Sequence, residues 1–190
     1  MYEVRSHGRG GQGAVTAAAM LAAAMLEAGK YAVSIPSFGF ERRGAPVVSF
    51  LRCSDREIRQ MTNIYTPDCL ICVAPTLARS VDIFSGLKSG GTLVQATNMP
   101  LEDVAISDAV GRVGLCDAVG IALQVFKKPI TNTLMLGAFA KTTGVVSLEA
   151  LKRSLEDSDF RDAGLKQNLL ALERGYNETT VHTIERRVAA

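Results

Sequence analysis

Between His7 and Ala17 the chain reads His-Gly-Arg-Gly-Gly-Gln-Gly-Ala-Val-Thr-Ala, with Gly8, Gly10, Gly11 and Gly13 crowded into one turn. Glycine carries no Cβ, so these positions can take positive φ and let their N–H groups converge on the positive end of a following helix. That arrangement suits a phosphate or another anion. The spacing of Gly8, Gly10 and Gly13 matches the dinucleotide fingerprint, which gains weight only where a strand precedes and a helix follows. The rest of that code is missing. An acid for a ribose is expected about 20 residues further on, but residues 31–35 lead into Pro36-Ser37-Phe38-Gly39, and the next acid is Glu41. A nicotinamide site is therefore disfavoured. Two readings of the turn stand: contact with the pyrophosphate of another ligand, or close packing within the chain or against a partner subunit. Arg9 and Gln12 are placed either to reach a ligand or a partner carbonyl, or to face solvent.

A second cluster follows in Ser37-Phe-Gly-Phe-Glu-Arg-Arg-Gly-Ala-Pro46. Arg42 and Arg43 set two guanidinium groups beside Glu41, with Phe38 and Phe40 as apolar anchors and Gly39 and Gly44 loosening the backbone. Aromatic and arginine side chains dominate buried contacts between proteins, and arginine forks also hold carboxylates and phosphates. Subunit docking is the first reading of this loop; contact with ligand phosphates or substrate at a subunit boundary is the second, and a solvated loop the third. Asn132 and Thr133 precede an apolar helix and are expected to cap it. His7 has no adjoining nucleophile, so a hydrogen-bonded structural histidine is expected there.

Cys69 and Cys72 have Cys-x-x-Cys spacing, but they lie in an apolar, strand-like run where residues three apart point to opposite faces. Cys53 and Cys116 end other apolar runs. Four reduced, mostly buried cysteines follow, with no metal or iron–sulfur cluster in this chain.

The elements that must position these residues read in order. A short strand over 2–6 precedes the glycine turn, and a helix over 14–28 follows it and stops at Gly29. Strands are expected over 31–35, 47–53, 69–74, 92–97 and 113–116, with a capped helix over 77–87 ended by Gly90-Gly91 and another over 117–126. A helix over 132–143, apolar nearly all round, closes at Gly144. Ser147 caps the next, residues 165–176 place Leu165, Leu169 and Leu172 at helical spacing, and the polar tail after Asn177 is extended. The expected fold is α/β: one three-layer domain over residues 1–190, a mostly parallel sheet flanked by helices, Rossmann-like with divergent topology.

With 190 residues, 47% hydrophobic and 21% charged, the chain can bury a real core, and a formal charge of +2 points to neither nucleic acid nor a membrane surface. The apolar stretch over 14–26 is preceded by glycines and flanked by Gln12 and Glu27, so it reads as a buried helix. A cytoplasmic protein is expected.

Taken with the glycine turn, the Glu41-Arg42-Arg43-Gly44 loop resembles the gamma subunit, or gamma domain, of the 2-oxoacid:acceptor oxidoreductases, the pyruvate:ferredoxin oxidoreductase family. Pro67-Asp68, a variable region about Asp103, Asn132-Thr-Leu-Met-Leu-Gly137 and Glu173-Arg-Gly-Tyr176 fall in the expected order, so the resemblance spans nearly the whole chain. It implies a subunit of an enzyme that oxidatively decarboxylates a 2-oxoacid, passes the acyl group to coenzyme A and sends two electrons through iron–sulfur clusters to ferredoxin or another acceptor. Thiamine diphosphate and Mg2+ would be held by alpha and beta subunits, and clusters by a ferredoxin-like subunit. This chain would carry no catalytic residue, contribute Phe38, Phe40, Glu41, Arg42, Arg43 and Asn132 to interfaces, and touch coenzyme A phosphates at most through Gly8–Gly13. The resemblance leaves the 2-oxoacid open, with pyruvate as the default. A free-standing nucleotide or acyl-CoA binding module is the alternative.

Overall fold

Strand β1 (Tyr2–Arg9) is an interior strand of the sheet, paired on both edges. The computed structural model describes residues 1–36, 44–74, 76–77, 80–157 and 164–185. After the glycine turn comes α1 (Ala14–Glu27), closed at Gly29 by bonds from Gly29 N to Leu26 O and from Lys30 N to Met25 O. β2 (Tyr31–Pro36) and β3 (Pro46–Ser54) follow, then β4 (Cys69–Cys72), β5 (Gly91–Ala96) and β6 (Val110–Cys116). Four helices come next: α2 (Ala118–Phe126), α3 (Asn132–Thr143), α4 (Leu148–Glu156) and α5 (Leu165–Asn177). β7 (Thr180–Thr183) returns along β6.

The sheet order is β2-β3-β1-β4-β5-β6-β7. β1, β4, β5 and β6 run parallel, β2 and β3 form an antiparallel pair beside β1, and β7 is antiparallel at the far edge. The topology diverges from a doubly wound sheet at its first step, because α1 delivers the chain to that antiparallel pair instead of a neighbouring parallel strand. β1 is also longer than expected: Gly8 and Arg9 still pair with Val47 and Pro46.

One sheet face carries the helices. Val4, Leu51, Ile71 and Val94 pack there with Leu21 and Met25 of α1 and Phe139 of α3, each side chain contributing about 1.5–3 kcal/mol by burial. The opposite face, with Leu70, Cys72, Leu93 and Val113, is covered by Ile83, Leu87, Val104 and the segments that carry them. The three layers are thus helices, sheet, and a layer of connecting segments that includes a 3-10 turn over Leu101–Asp103.

The capped helix expected over 77–87 does not form among the described residues; single turns take its place. Its carbonyls have other partners. Arg5, only 8% exposed, donates through Nη2 to Ile83 O at 2.9 Å and Ser85 O at 2.6 Å, which diverts acceptors a helix would need. Arg52, still more deeply buried on the same face, donates to Gln60 O and Thr62 O and pairs through Nε with Glu3 at 2.9 Å, fixing the preceding segment.

Helices α3 and α5 cross at two glycines. A Cβ on Gly137 would fall on the backbone of Leu172 and Tyr176, and one on Gly175 on the Leu134 carbonyl. Backbone cannot rotate away as a side chain can, so a single methyl must push the helices apart. Gly175→Ala and Gly137→Ala are each expected to destabilise the chain by about 1–3 kcal/mol or more, read from urea unfolding midpoints; Gly144→Ala, where a Cβ meets nothing within 4 Å, separates this effect from helix-end strain.

Candidate functional site

After β1 the chain turns to one side of the sheet to build β2 and β3, and it returns on the other side with β4. The gap between the carboxyl ends of β1 and β4 is therefore the switch point at which open α/β sheets bind ligands. The glycine turn lies there. His7 O accepts from Val73 N at 2.9 Å, tying the two strand ends together.

Within the turn, Gly11 has φ 89° and Gly13 φ 72°, a left-handed conformation costly for any residue with a Cβ. Gly8 is needed for space, since a Cβ there would stand 3.1 Å from Ala14 Cβ. Gln12 closes the turn on itself: its Oε1 accepts from Arg9 N at 2.8 Å, and its N donates to Arg9 O at 3.0 Å. Arg9 reaches out of the turn, donating to Gly44 O at 3.0 Å and Thr76 Oγ1 at 3.3 Å. Gly10 and Gly44–Ala45 extend the ladder by two further backbone bonds. The carbonyl that Arg9 finds thus belongs to its own chain.

Beside the turn is a surface recess of about 360 Å³ lined by Arg9, Gly10, Gly11, Gly13, Thr16 and Val47. The head of α1 opens onto it. No side chain caps α1 and no acid lies in its first turn, so the N–H groups of Ala14, Val15 and Thr16 have no intrahelical acceptor and carry the positive end of the helix dipole. The arrangement can bind an anion.

The first residue of α3 meets this turn. Asn132 Nδ2 lies 2.9 Å from where a Gly13 Cβ would stand. The expected caps are not made. Thr131 holds the cap position without a side-chain bond, and Thr133 donates instead to Asn168 Oδ1 at 2.8 Å on α5. Asn132 is inside the helix, buried, and its Oδ1 has no partner among the described residues; nor has Thr131 Oγ1. Thr131 was missed by sequence reasoning, because a threonine one residue before a helix looks like an ordinary cap. Of the other predicted interface residues, Phe38, Phe40, Glu41, Arg42 and Arg43 lie outside the described residues.

His7 is structural, as its setting in the sequence suggests. Buried on the face away from the helices, its Nε2 accepts from Arg5 Nε at 3.0 Å. Burial first, then the Arg5 charge, pull its pKa down to about 4 against a smaller opposing pull from Asp82. The four cysteines are buried and unpaired, with burial pushing Cys72 and Cys116 up to about 11. Among the described residues no three His, Cys, Asp or Glu side chains come together to hold a metal, and no helix is long and apolar enough to cross a membrane.

Residues 3–178 match the family described as Pyruvate ferredoxin/flavodoxin oxidoreductase. The chain is 77% identical, over the whole of both sequences, to the NADH-dependent phenylglyoxylate dehydrogenase subunit gamma of Aromatoleum evansii. It is 45% identical to the pyruvate/ketoisovalerate oxidoreductases common subunit gamma of Thermococcus kodakarensis, over 97% of this chain and 100% of that one. The crystal structure of pyruvate oxidoreductase subunit PORC from Thermotoga maritima superposes with a TM-score of 0.83 at 40% identity, covering 95% of this chain and 97% of that one.

The neutral His7 sets an acid limit on the fold. Its ordinary pKa is about 6.5, so the unfolded chain takes up a proton that the folded chain refuses; the resulting stability is whole above that value and is lost as pH falls toward 4. Between pH 7 and pH 5 this one group should remove about 2 kcal/mol. Urea titrations at the two pH values should show the loss in the native chain and a shallower one in His7→Gln.

Proposed function

This chain belongs to the pyruvate ferredoxin/flavodoxin oxidoreductase family, and on that footing we propose that it is the gamma subunit of a multi-subunit 2-oxoacid:acceptor oxidoreductase acting on an aryl 2-oxoacid. The observation that carries the substrate class is the identity of 77%, end to end, with a subunit named for phenylglyoxylate; the relatives named for pyruvate stand near 45%. Phenylglyoxylate thus replaces pyruvate as the first substrate to try, and a nicotinamide, reached through another subunit, as the first acceptor.

In this reading the complex converts the 2-oxoacid and coenzyme A into an acyl-CoA and carbon dioxide, releasing two electrons. Thiamine diphosphate supplies the group that accepts the acyl fragment, and it is held with Mg2+ by alpha and beta subunits; iron–sulfur clusters belong to a ferredoxin-like subunit. The donor set here fits that division, because the cysteines are buried thiols, Cys53 on β3, Cys69 and Cys72 at the two ends of β4 and Cys116 on β6, and His7 is neutral and occupied by Arg5. This chain binds and orients. Gly8, Arg9, Gly10, Gly11, Gln12 and Gly13 form a cradle suited to the phosphates of coenzyme A, with the amides at the head of α1 as donors. Arg42 and Arg43, next in sequence to Glu41 and following Phe38 and Phe40, dock against a neighbouring subunit. Arg9 and Gly10 support both roles, since their bonds to Gly44 and Ala45 anchor one end of that loop to the cradle.

A tagged copy expressed in its own host should bring down thiamine-binding and iron–sulfur subunits with coenzyme A-dependent oxidation of phenylglyoxylate. Recovery of the chain alone, with tight ligand binding and no partners, would favour a free-standing binding module instead. In the same experiment Arg42→Ala/Arg43→Ala should cut recovery of the other subunits by about tenfold or more while moving the free chain's Tm by less than about 2 °C.

A further inference from the structure

We propose that the recess between the carboxyl end of β5 and helix α2 receives an apolar side chain carried on a basic segment of another subunit of the complex. The inference rests on the gamma-subunit reading and deepens it, giving this chain a contact surface separate from the glycine turn and the arginine loop.

Helix α2 has the composition of an interior element. Its nine residues, Ala-Val-Gly-Ile-Ala-Leu-Gln-Val-Phe, hold one polar side chain and no charge. A helix at a surface carries polar residues on its outer face, whereas one that is apolar all round is buried. α2 is buried on one side only. Ala118, Ile121 and Ala122 pack into the core, but Val119 and Leu123, one turn apart, are 46% and 48% exposed.

A second apolar wall faces them. Thr97 N donates to Cys116 O and Thr97 Oγ1 accepts from Met99 N at 3.1 Å, which holds the chain leaving β5 with Met99 47% exposed. Met99, Val119 and Leu123 line one recess of about 430 Å³, together with Thr97 and Asp117. Single exposed apolar side chains are ordinary on a protein surface; three gathered around one hollow mark an interaction site. The recess has room for the large apolar anchors that dominate contacts between proteins.

Charge selects the occupant. Between Ala96 and Phe126 the chain has four acids, Glu102, Asp103, Asp108 and Asp117, against the single cation Arg112. Asp117 lines the recess, and the exposed Glu102 and Asp103 follow Met99 in the 3-10 turn. Arg112 donates to Thr142 O on α3, and Arg174, which reaches α2 at Gln124, is paired with Glu178. Lys127 and Lys128 lie past the far end of α2, where Lys127 donates to Gln124 O. An apolar hollow with an acidic rim is complemented by an apolar side chain flanked by lysine or arginine. The recess also opens at the same end of the sheet as the glycine turn, since β5 runs parallel to β1 two strands away, about 10 Å along the edge. A subunit seated on that end covers both.

The test is recovery of the other subunits by the tagged chain expressed in its own host. Leu123→Glu and Leu123→Lys both remove the apolar side chain, and neither should move the free chain's Tm by more than about 2 °C, because the position is half in solvent. Leu123→Glu should cut recovery about tenfold, and Leu123→Lys, which a basic partner repels, by about tenfold more. Glu102→Lys/Asp103→Lys should weaken recovery at low salt and leave it unchanged at about 1 M, where charges are screened. Val119→Lys carries the test if a Leu123 variant fails to fold. Native-level recovery by the Leu123 variants, or better recovery by Leu123→Lys than by Leu123→Glu, would overturn the proposal. So would a free chain that sediments as a dimer and is split by Leu123→Lys with subunit recovery unchanged, because the occupant is then a second copy. A native chain that brings down no thiamine-binding or iron–sulfur subunit would overturn the gamma-subunit reading and this inference together, whereas full native recovery with unaffected variants would sink the inference alone.

Discussion

The pairing of β1 along both edges is the constraint on which the candidate site depends. β1 is bonded over its whole length to β3 and over residues 4–7 to β4, so its carboxyl end has no freedom to drift. The glycine turn begins where that double pairing ends. Because Arg9 still pairs with Pro46 and Gly10 still exchanges bonds with Gly44 and Ala45, the ladder reaches into the turn. The amides at the head of α1 are thereby aimed by the sheet. A binding site built of backbone N–H groups needs such support, since it has no long side chains to adjust.

The face of the sheet away from the helices shows a different solution to burial. Arg5 and Arg52 are nearly as inaccessible as leucines, and a guanidinium removed from water is costly unless its donors are met. They are met mostly by backbone carbonyls of irregular segments. Arg5 holds Ile83 and Ser85, Arg52 holds Gln60 and Thr62, and Lys88 pairs with Asp68 at 2.8 Å between them. The carbonyls a regular helix would satisfy internally are satisfied by the arginines, so this face is closed by fixed segments with little regular structure. His7 belongs to the same system, since as a neutral imidazole it offers Arg5 an acceptor where an imidazolium would repel it.

Much of this was legible in the residues. Hydrophobic period and stop signals located α3, from Asn132 to Thr143, and the Ser147 cap, which accepts from Ala150 N; the helix read from Asp117 begins one residue later, with Asp117 as its cap. They also placed the turn between a strand and a helix. What escaped is tertiary. The apolar pattern over 77–87 looks helical because Leu77, Ile83 and Leu87 are indeed buried, but periodicity does not register that Arg5, some 80 positions earlier, claims the carbonyls between them. Arg5 and Arg52 look like ordinary polar positions of half-exposed strands. The signal that could have marked them is their place in strands whose neighbours on both faces are buried. Thr131 and Asn132 resemble a cap in sequence, and only the position of Gly13 shows that the carboxamide faces another element.

The rigidity of α3 decides which part of the site can move. Its body is locked to α5 by the contact of Gly137 with the backbone of Leu172 and Tyr176, and its head by the bond from Thr133 to Asn168. Thr131 and Asn132 are therefore presented from a fixed base. The glycine turn is the opposite: two of its residues are already in a conformation that glycine alone adopts freely, and its only internal side-chain brace is the Gln12 carboxamide on Arg9 N. Its other backbone anchor is the pair of bonds from Gly10 N to Ala45 O and from Gly44 N to Gly10 O.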